Sequence, residues 1–389
     1  MARALHDPDL APARARPSDF LELVERGKRG RLKLYIGFAA GVGKTYRMLE
    51  EAHALSRRGV QVVIGFVETH GRAETEALVT GLEQVPRKVH EYRGVSVGEM
   101  DLDAVLARKP QVALVDELAH TNVPLCRNAK RYQDVLELLA AGINVIAAFN
   151  VQHLESLNDL VQRTTGVVVR ETVPDSFVKM ADQVVNLDLA VEDLHERLKA
   201  GKIYAPEKVD RALDGFFTRE NLSTLRELAL REVAESLGRS TAEPRQVERP
   251  GPAMGRVMVA LSSHPPRAKA LLRRGSRIAG KLNTDWFVVY VETPREAPER
   301  IDSEAQRHLL ANLQLARELG AEVVKVQADD PVRGLLDFAR SHGVGLLMVG
   351  RSQLPRWKQR LGLGADLRLV READDLDVQV VSFEEGPTT

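Results

Sequence analysis

The stretch Gly37-Phe38-Ala39-Ala40-Gly41-Val42-Gly43-Lys44-Thr45 lies between the apolar run Leu32 to Ile36 and the helix-forming segment Tyr46 to Arg58. Strand, glycine-rich loop and helix in that order build a cradle for phosphate. Backbone N–H groups face the oxygens, a helix N-terminus stands behind them, and a cation lies beside the terminal phosphates. Gly41 and Gly43 permit the tight curl, Lys44 supplies the cation, and Thr45 offers a hydroxyl to Mg²⁺. Together with Gly37 and Val42 these residues are the candidate contacts for Mg-ATP. The general spacing G-x-x-x-x-G-K-[ST] would put its first glycine at position 38; Phe38 stands there, and Gly37 is one place early. The alternative is a chance glycine-rich turn with a surface lysine.

The strands that follow carry further polar clusters. Val60 to Val67 is a nearly continuous apolar run, as expected of a strand buried on both faces of a parallel sheet. It leads into Glu68-Thr69-His70-Gly71-Arg72, placed where open α/β sheets bind ligands, or simply a polar loop. Val112 to Val115 ends in Asp116 and Glu117. Asp116 suits Mg²⁺, held directly or through water, and Glu117 suits a water attacking the γ-phosphate, which makes both candidate catalytic residues. The alternative is a solvated carboxylate pair. In the next loop Arg127, Lys130 and Arg131 are expected within reach of phosphate. The strand Ile143 to Phe149 ends at Asn150-Val151-Gln152-His153, where Gln152 either senses the γ-phosphate or caps a helix from Leu154 to Arg163. Short strands are expected at Val167 to Val169 and Val184 to Leu187. Helices follow at Val191 to Ala200 and Pro206 to Phe216, then a long helix from Leu222 to Leu237 leaving the domain.

A chain of 389 residues, 44% hydrophobic and 28% charged, has room for two or three domains. Lys plus Arg and Asp plus Glu both number 55, so no overall charge excess draws the chain to nucleic acid or an anionic membrane. One cysteine, Cys126, excludes an internal disulfide framework and a cysteine zinc site. No run approaches the roughly 18 apolar residues of a membrane helix, and the N-terminus lacks the apolar core of a signal peptide, which reads as a soluble, cytoplasmic chain. Residues 1–30 read as a flexible arm and 238–255, rich in Arg, Glu, Pro and Gly, as a linker.

Five motifs in order carry a family resemblance. They are the loop from Gly37 to Thr45, Val67-Glu68-Thr69-His70-Gly71-Arg72, Val115-Asp116-Glu117-Leu118-Ala119-His120, the run from Asn150 to Asp159, and Arg170-Glu171-Thr172-Val173-Pro174-Asp175. Over about residues 15 to 237 the chain closely resembles the N-terminal domain of KdpD potassium sensor kinases, in which the first loop glycine is also one place early. The resemblance implies an ATP-binding regulatory module of a two-component system controlling potassium transport genes. Its partner would be a KdpE-type response regulator or a KdpD-type histidine kinase, and a homodimer is compatible with it. The transmembrane helices, phosphoacceptor helix and catalytic domain that follow in such kinases have no counterpart here. His195-Glu196-Arg197-Leu198 lacks the Thr-Pro that would make His195 a phosphoacceptor, and reads as ordinary helix. The second class left open is a stand-alone phosphate-loop NTPase or small-molecule kinase.

From Arg256 on, strands alternate with helices, which implies right-handed crossovers and a parallel sheet. Residues 256–389 resemble a universal stress protein domain. The expected fold class is therefore α/β, a P-loop NTPase-like parallel-sheet domain at 31–237 followed by a doubly wound domain. Nucleotide-binding stress proteins resemble G-x-x-G and G-[ST] after the fourth strand and carry an Asp after the first. Here Gln353 and Ser262 occupy those places, which argues against ATP on the second domain. The basic set Arg351, Arg356, Lys358 and Arg360, with Trp357, is a candidate for an anionic messenger such as a cyclic dinucleotide, or is a solvated loop.

Overall fold

The computed structural model describes residues 29–240, 255–262, 268–282, 284–294, 302–351, 364–373 and 376–382. The expected arm, the greater part of the linker, and Gln353, Arg356, Trp357, Lys358 and Arg360 lie outside them.

In the first unit the apolar runs become the inner strands of one parallel sheet. Its strands are β1 (Leu32–Gly37), β2 (Val62–Phe66), β3 (Glu83–Gln84), β6 (Val112–Val115), β7 (Asn144–Asn150) and β8 (Gln183–Leu187), in the order β3-β2-β6-β7-β1-β8. Two more, β4 (Lys88–Tyr92) and β5 (Val95–Glu99), form a separate antiparallel hairpin. Both faces of the sheet are covered, which is why its inner strands read as unbroken apolar runs. On one face Met48, Leu49 and Ala52 of α1 (Lys44–Arg57) pack on Tyr35, Ile64, Leu114 and Ala148; α2 (Ala73–Val79) adds Leu78 and Val79. The other face is covered by α3 (Leu102–Arg108), α4 (Arg131–Ala140), α5 (Asn158–Thr165), α6 (Asp175–Lys179), α7 (Val191–Lys199), α8 (Val209–Asp214) and α9 (Arg219–Ser240).

Three local expectations are corrected. The helix expected from Leu154 is broken: Leu154 is extended and bridges Val173, so two 3₁₀ turns, Val151–His153 and Glu155–Leu157, precede α5. Val167 to Val169 form no strand, since Val168 is exposed and the Val169 carbonyl accepts from Asn158 Nδ2 at 2.7 Å. The long helix α9 does not leave the domain. Its Leu222, Leu225, Leu228 and Ala229 are buried, and Arg226 forks onto Asp188 at 2.6 and 2.5 Å.

The second unit is a parallel sheet of β9 (Arg256–Leu261), β10 (Trp286–Glu292), β11 (Glu322–Gln327), β12 (Val344–Gly350) and β13 (Asp377–Val381), ordered β11-β10-β9-β12-β13. One face carries α10 (Ala268–Leu282) and α11 (Ser303–Glu318); the other carries α12 (Pro331–Ser341) and α13 (Ala365–Glu372), so it is doubly wound. Its helix α10 docks on the first unit. Arg273 reaches Glu155, and Arg277 donates to Ser156 O at 2.5 Å and Asp159 Oδ1 at 2.7 Å. Among the described residues no helix is long and apolar enough to cross a membrane.

Candidate functional site

The glycine loop owes its shape to what lies beneath and above it. A Cβ on Gly37 would stand 2.4 Å from Val42 Cγ2, so the loop can fold back over the end of β1 only if that position is bare. Phe38 is 1% exposed and belongs to the core, which explains why an aromatic ring stands where the general motif has its first glycine. Gly41 and Gly43 lie at φ 91° and 102°, in the region that favours glycine. No side chain caps α1, so its first N–H groups keep their partial positive charge for an anion.

The strand order then assembles the charges. β7 lies between β1 and β6, and its last residue Asn150 is paired in register with Gly37. The Lys44 ammonium donates to Asn150 Oδ1 at 2.5 Å and to Ala39 O at 3.2 Å. On the far side of β7, Asp116 follows β6 and accepts from Thr45 Oγ1 at 2.7 Å and from Glu117 N at 2.8 Å. Burial dominates the ionisation of both buried charges. It lowers Lys44 to about 8, against the pull of Asp116 and Glu117. It raises Asp116 to about 6, helped by Glu117 and opposed by Thr45.

Glu117 is half exposed and meets His70 Nε2 at 3.3 Å. That hydrogen bond holds the Glu117 carboxyl below its usual range and raises the His70 imidazole. Both residues sit at positive φ, 52° and 53°, a strain of about 1–3 kcal/mol each for side chains other than glycine. Behind Glu117 the buried Arg131 guanidinium donates to Glu99 at 2.9 Å, to Glu117 O at 3.5 Å, and lies 3.6 Å over the Phe66 ring. Burial pushes Glu99 up, but His120, Arg131 and the Val123 N–H together hold its carboxyl below the ordinary value.

One cavity of about 860 Å³ is lined by residues from Ala40 to Arg47 on one wall, by Asp116 and Glu117, and by His70 and Arg72. The end of α7 and the segment that follows it form another wall. Arg197 donates to Gly41 O at 3.0 Å, Lys202 pairs with Glu74 at 2.9 Å, and Ile203 packs on Gly41 so closely that a Cβ there would lie 2.2 Å from its Cδ1.

Residues 28–237 match the family described as the osmosensitive K⁺ channel His kinase sensor domain, KdpD. Residues 254–374 match the universal stress protein family. The sensor protein KdpD of Escherichia coli is 44% identical over 382 residues, covering 97% of this chain. The chain belongs to the KdpD sensor family. It spans 42% of the length of the Escherichia coli KdpD, and 95% of a putative sensor protein KdpD from Synechocystis, which is 44% identical over 355 residues. Among solved structures, a universal stress protein in complex with cAMP is 23% identical over 33% of this chain and 97% of its own, with a TM-score of 0.27.

The KdpD fold redistributes the cations expected from sequence. Arg127 is bound to Asp103 and to Glu137, Lys130 donates to Thr121 Oγ1 at 2.7 Å, and Arg131 is buried against Glu99, so none lines the cavity. Their places are taken by Arg72, Arg197 and Lys202. Gln152 is also absent from the lining; its Nε2 faces His153 at 3.4 Å and its Oε1 is buried without a partner. Asn150, two residues earlier, meets Lys44 instead, because it is the residue at the end of β7. A polar residue closing an apolar run was the available signal.

In the stress-protein unit of this KdpD chain Ser262 follows β9 and is exposed. Of the basic set expected to take an anionic messenger, Arg351 alone lies among the described residues, its N–H donating to Val381 O at 3.0 Å.

Proposed function

We propose that the KdpD domain binds Mg-ATP in this cavity as a regulatory ligand. The observation that carries the reading is the 2.7 Å contact of Thr45 Oγ1 with Asp116 Oδ2 beside the Lys44 ammonium and under an uncapped helix N-terminus. Two hard oxygens and a cation are the donor set that a magnesium-bound triphosphate requires. Thr45 and Asp116 would hold Mg²⁺, directly or through water, and the ion when bound neutralises charge on the β- and γ-phosphates. Gly41 to Gly43 present N–H groups, Lys44 faces the terminal phosphates, and Gly37 keeps the loop folded. Output passes through protein contacts, to a KdpE-type response regulator or a KdpD-type histidine kinase that controls potassium transport genes.

A second reading rests on Glu117. Half exposed and paired with His70, its carboxylate can orient a water toward the terminal phosphate, which would make the domain a phosphate-loop NTPase or small-molecule kinase. Calorimetric titration of the whole chain with Mg-ATP tests the first reading, and absence of binding refutes it. Hydrolysis above about one turnover per second, the low end for ordinary enzymes, would establish the second in its place.

A further inference from the structure

We propose that Arg72 reads the terminal phosphate of the nucleotide and so makes the site discriminate a nucleoside triphosphate from a diphosphate. The inference rests on the nucleotide reading of the cavity and adds to it a residue outside the glycine loop and the acidic strand end.

Among the cations that line the cavity, Arg72 has the least to hold it. Lys44 has Asn150 and Ala39, Arg47 has Glu50, Lys202 has Glu74, and Arg197 donates to the Gly41 carbonyl. Arg72 makes a long bond, 3.3 Å, from Nη2 to the Ile203 carbonyl, while its Nε is buried with no hydrogen-bond partner. A guanidinium offers five N–H groups in a planar fork suited to phosphate oxygens, and a buried donor left unpaired is costly until an acceptor arrives.

The topology says which phosphate that acceptor belongs to. Reading across the sheet from β1, the C-terminal ends present the glycine loop, then Asn150 at the end of β7, then Asp116 and Glu117 after β6, then His70 and Arg72 after β2. A polyphosphate that begins on the loop and passes Lys44 and Asp116 has its far end beside Arg72. The electrostatics agree. Burial lowers Arg72, which makes its bare charge unfavourable, while Tyr204, Asp116 and Glu117 favour that charge; Arg72 and Lys44 line the same cavity as the carboxylate pair. A terminal phosphate between them satisfies both.

The backbone of Arg72 is anchored independently of its side chain. Its N–H donates to Thr69 O at 3.0 Å, and its carbonyl accepts from Thr75 and Glu76 at the start of α2. Truncating the side chain therefore leaves the helix start in place.

The test is calorimetric titration of wild type, Arg72→Ala and Arg72→Lys in the whole chain with Mg-ATP and with Mg-ADP. Loss of a charge-assisted contact to phosphate weakens binding about tenfold or more. The expected result is that loss for ATP in Arg72→Ala, less than about threefold for ADP, and an intermediate ATP loss in Arg72→Lys, where charge persists without the fork. Retained ADP affinity shows that the variant site is folded. Equal losses for the two nucleotides, or none, overturn the assignment while leaving the nucleotide site standing. Wild-type protein that binds neither nucleotide overturns both.

Discussion

Arg273 closes on Glu155 with two hydrogen bonds to one carboxylate oxygen, 2.7 Å from Nη2 and 3.2 Å from Nε. Glu155 is five residues past Asn150, the acceptor of the Lys44 ammonium. One short segment thus touches the glycine loop at its start and the stress-protein unit at its end, where Asp159 receives Arg277. The ionic groups of this contact are mostly shielded: the side chains of Arg273 and Glu155 are 16% and 10% exposed.

Glu155→Gln and Arg273→Gln should each destabilise the whole chain by about 1–2 kcal/mol, between the small worth of exposed pairs and the larger cost of breaking a buried one. The double variant should lose less than the sum, because each single change leaves its partner uncompensated. Chemical denaturation of the four proteins checks this. Additive losses would mean that the two groups do not interact in solution.

Lys44→Ala should weaken Mg-ATP binding by about 2 kcal/mol or more, since it removes a desolvated cation facing phosphate. Stability of the ligand-free protein should change in the opposite sense to a simple deletion of contacts at neutral pH, because burial makes the charged Lys44 unfavourable when no phosphate is present. Calorimetry and thermal melting on the same preparations separate the two effects. Unchanged ATP affinity would remove Lys44 from the site.

Affinity for Mg-ATP should peak between about pH 6 and 8. Asp116 must be ionised to serve Mg²⁺, and its folded pKa lies at about 6, above its ordinary 3.8. The folded protein therefore holds the extra proton between those values, so this group costs stability as pH rises from 3.8 to 6, and magnesium affinity rises through the same range. Lys44 must be protonated, and its folded pKa is lowered from 10.5 to about 8. The unfolded chain binds the extra proton there, so stability rises with pH from 8 to 10.5 while phosphate affinity falls. Titrations at pH 5, 7 and 9 give the profile, and a flat profile would contradict both assignments.

Asp116→Asn and Glu117→Gln should act differently. The first removes a magnesium oxygen and should reduce the Mg²⁺ dependence of binding; the second should spare binding and abolish slow hydrolysis if any occurs. Glu117→Gln should also lower the His70 pKa, now raised chiefly by its hydrogen bond with Glu117. Proton NMR of the imidazole reads that shift. Identical consequences of the two substitutions would show that the roles are not divided.

Much of the fold was legible in sequence because its signals are local. Continuous apolar runs such as Val60 to Val67 announce buried parallel strands, Gly41 and Gly43 mark the curl after Gly37, and regular alternation of strand and helix from Arg256 announces the second sheet. The hairpin of β4 and β5 was not legible, since its exposed residues such as Val89 and Val95 lack the apolar periodicity of the other strands.

The residues that meet in the cavity were a different matter. The chain by itself determined that a glycine loop, two strand-end carboxylates and a polar turn would occur in order. Tertiary structure decided that Asn150, and not Gln152, reaches Lys44, because β7 stands between β1 and β6 and ends level with Gly37. It also decided that Arg127 and Arg131 turn to carboxylates of their own and Lys130 to the Thr121 hydroxyl, leaving Arg72, Arg197 and Lys202 to the cavity. Propensity and periodicity act over a few neighbouring residues, whereas the meeting of side chains across a sheet depends on strand order and register, which are set by burying both faces of the whole sheet at once.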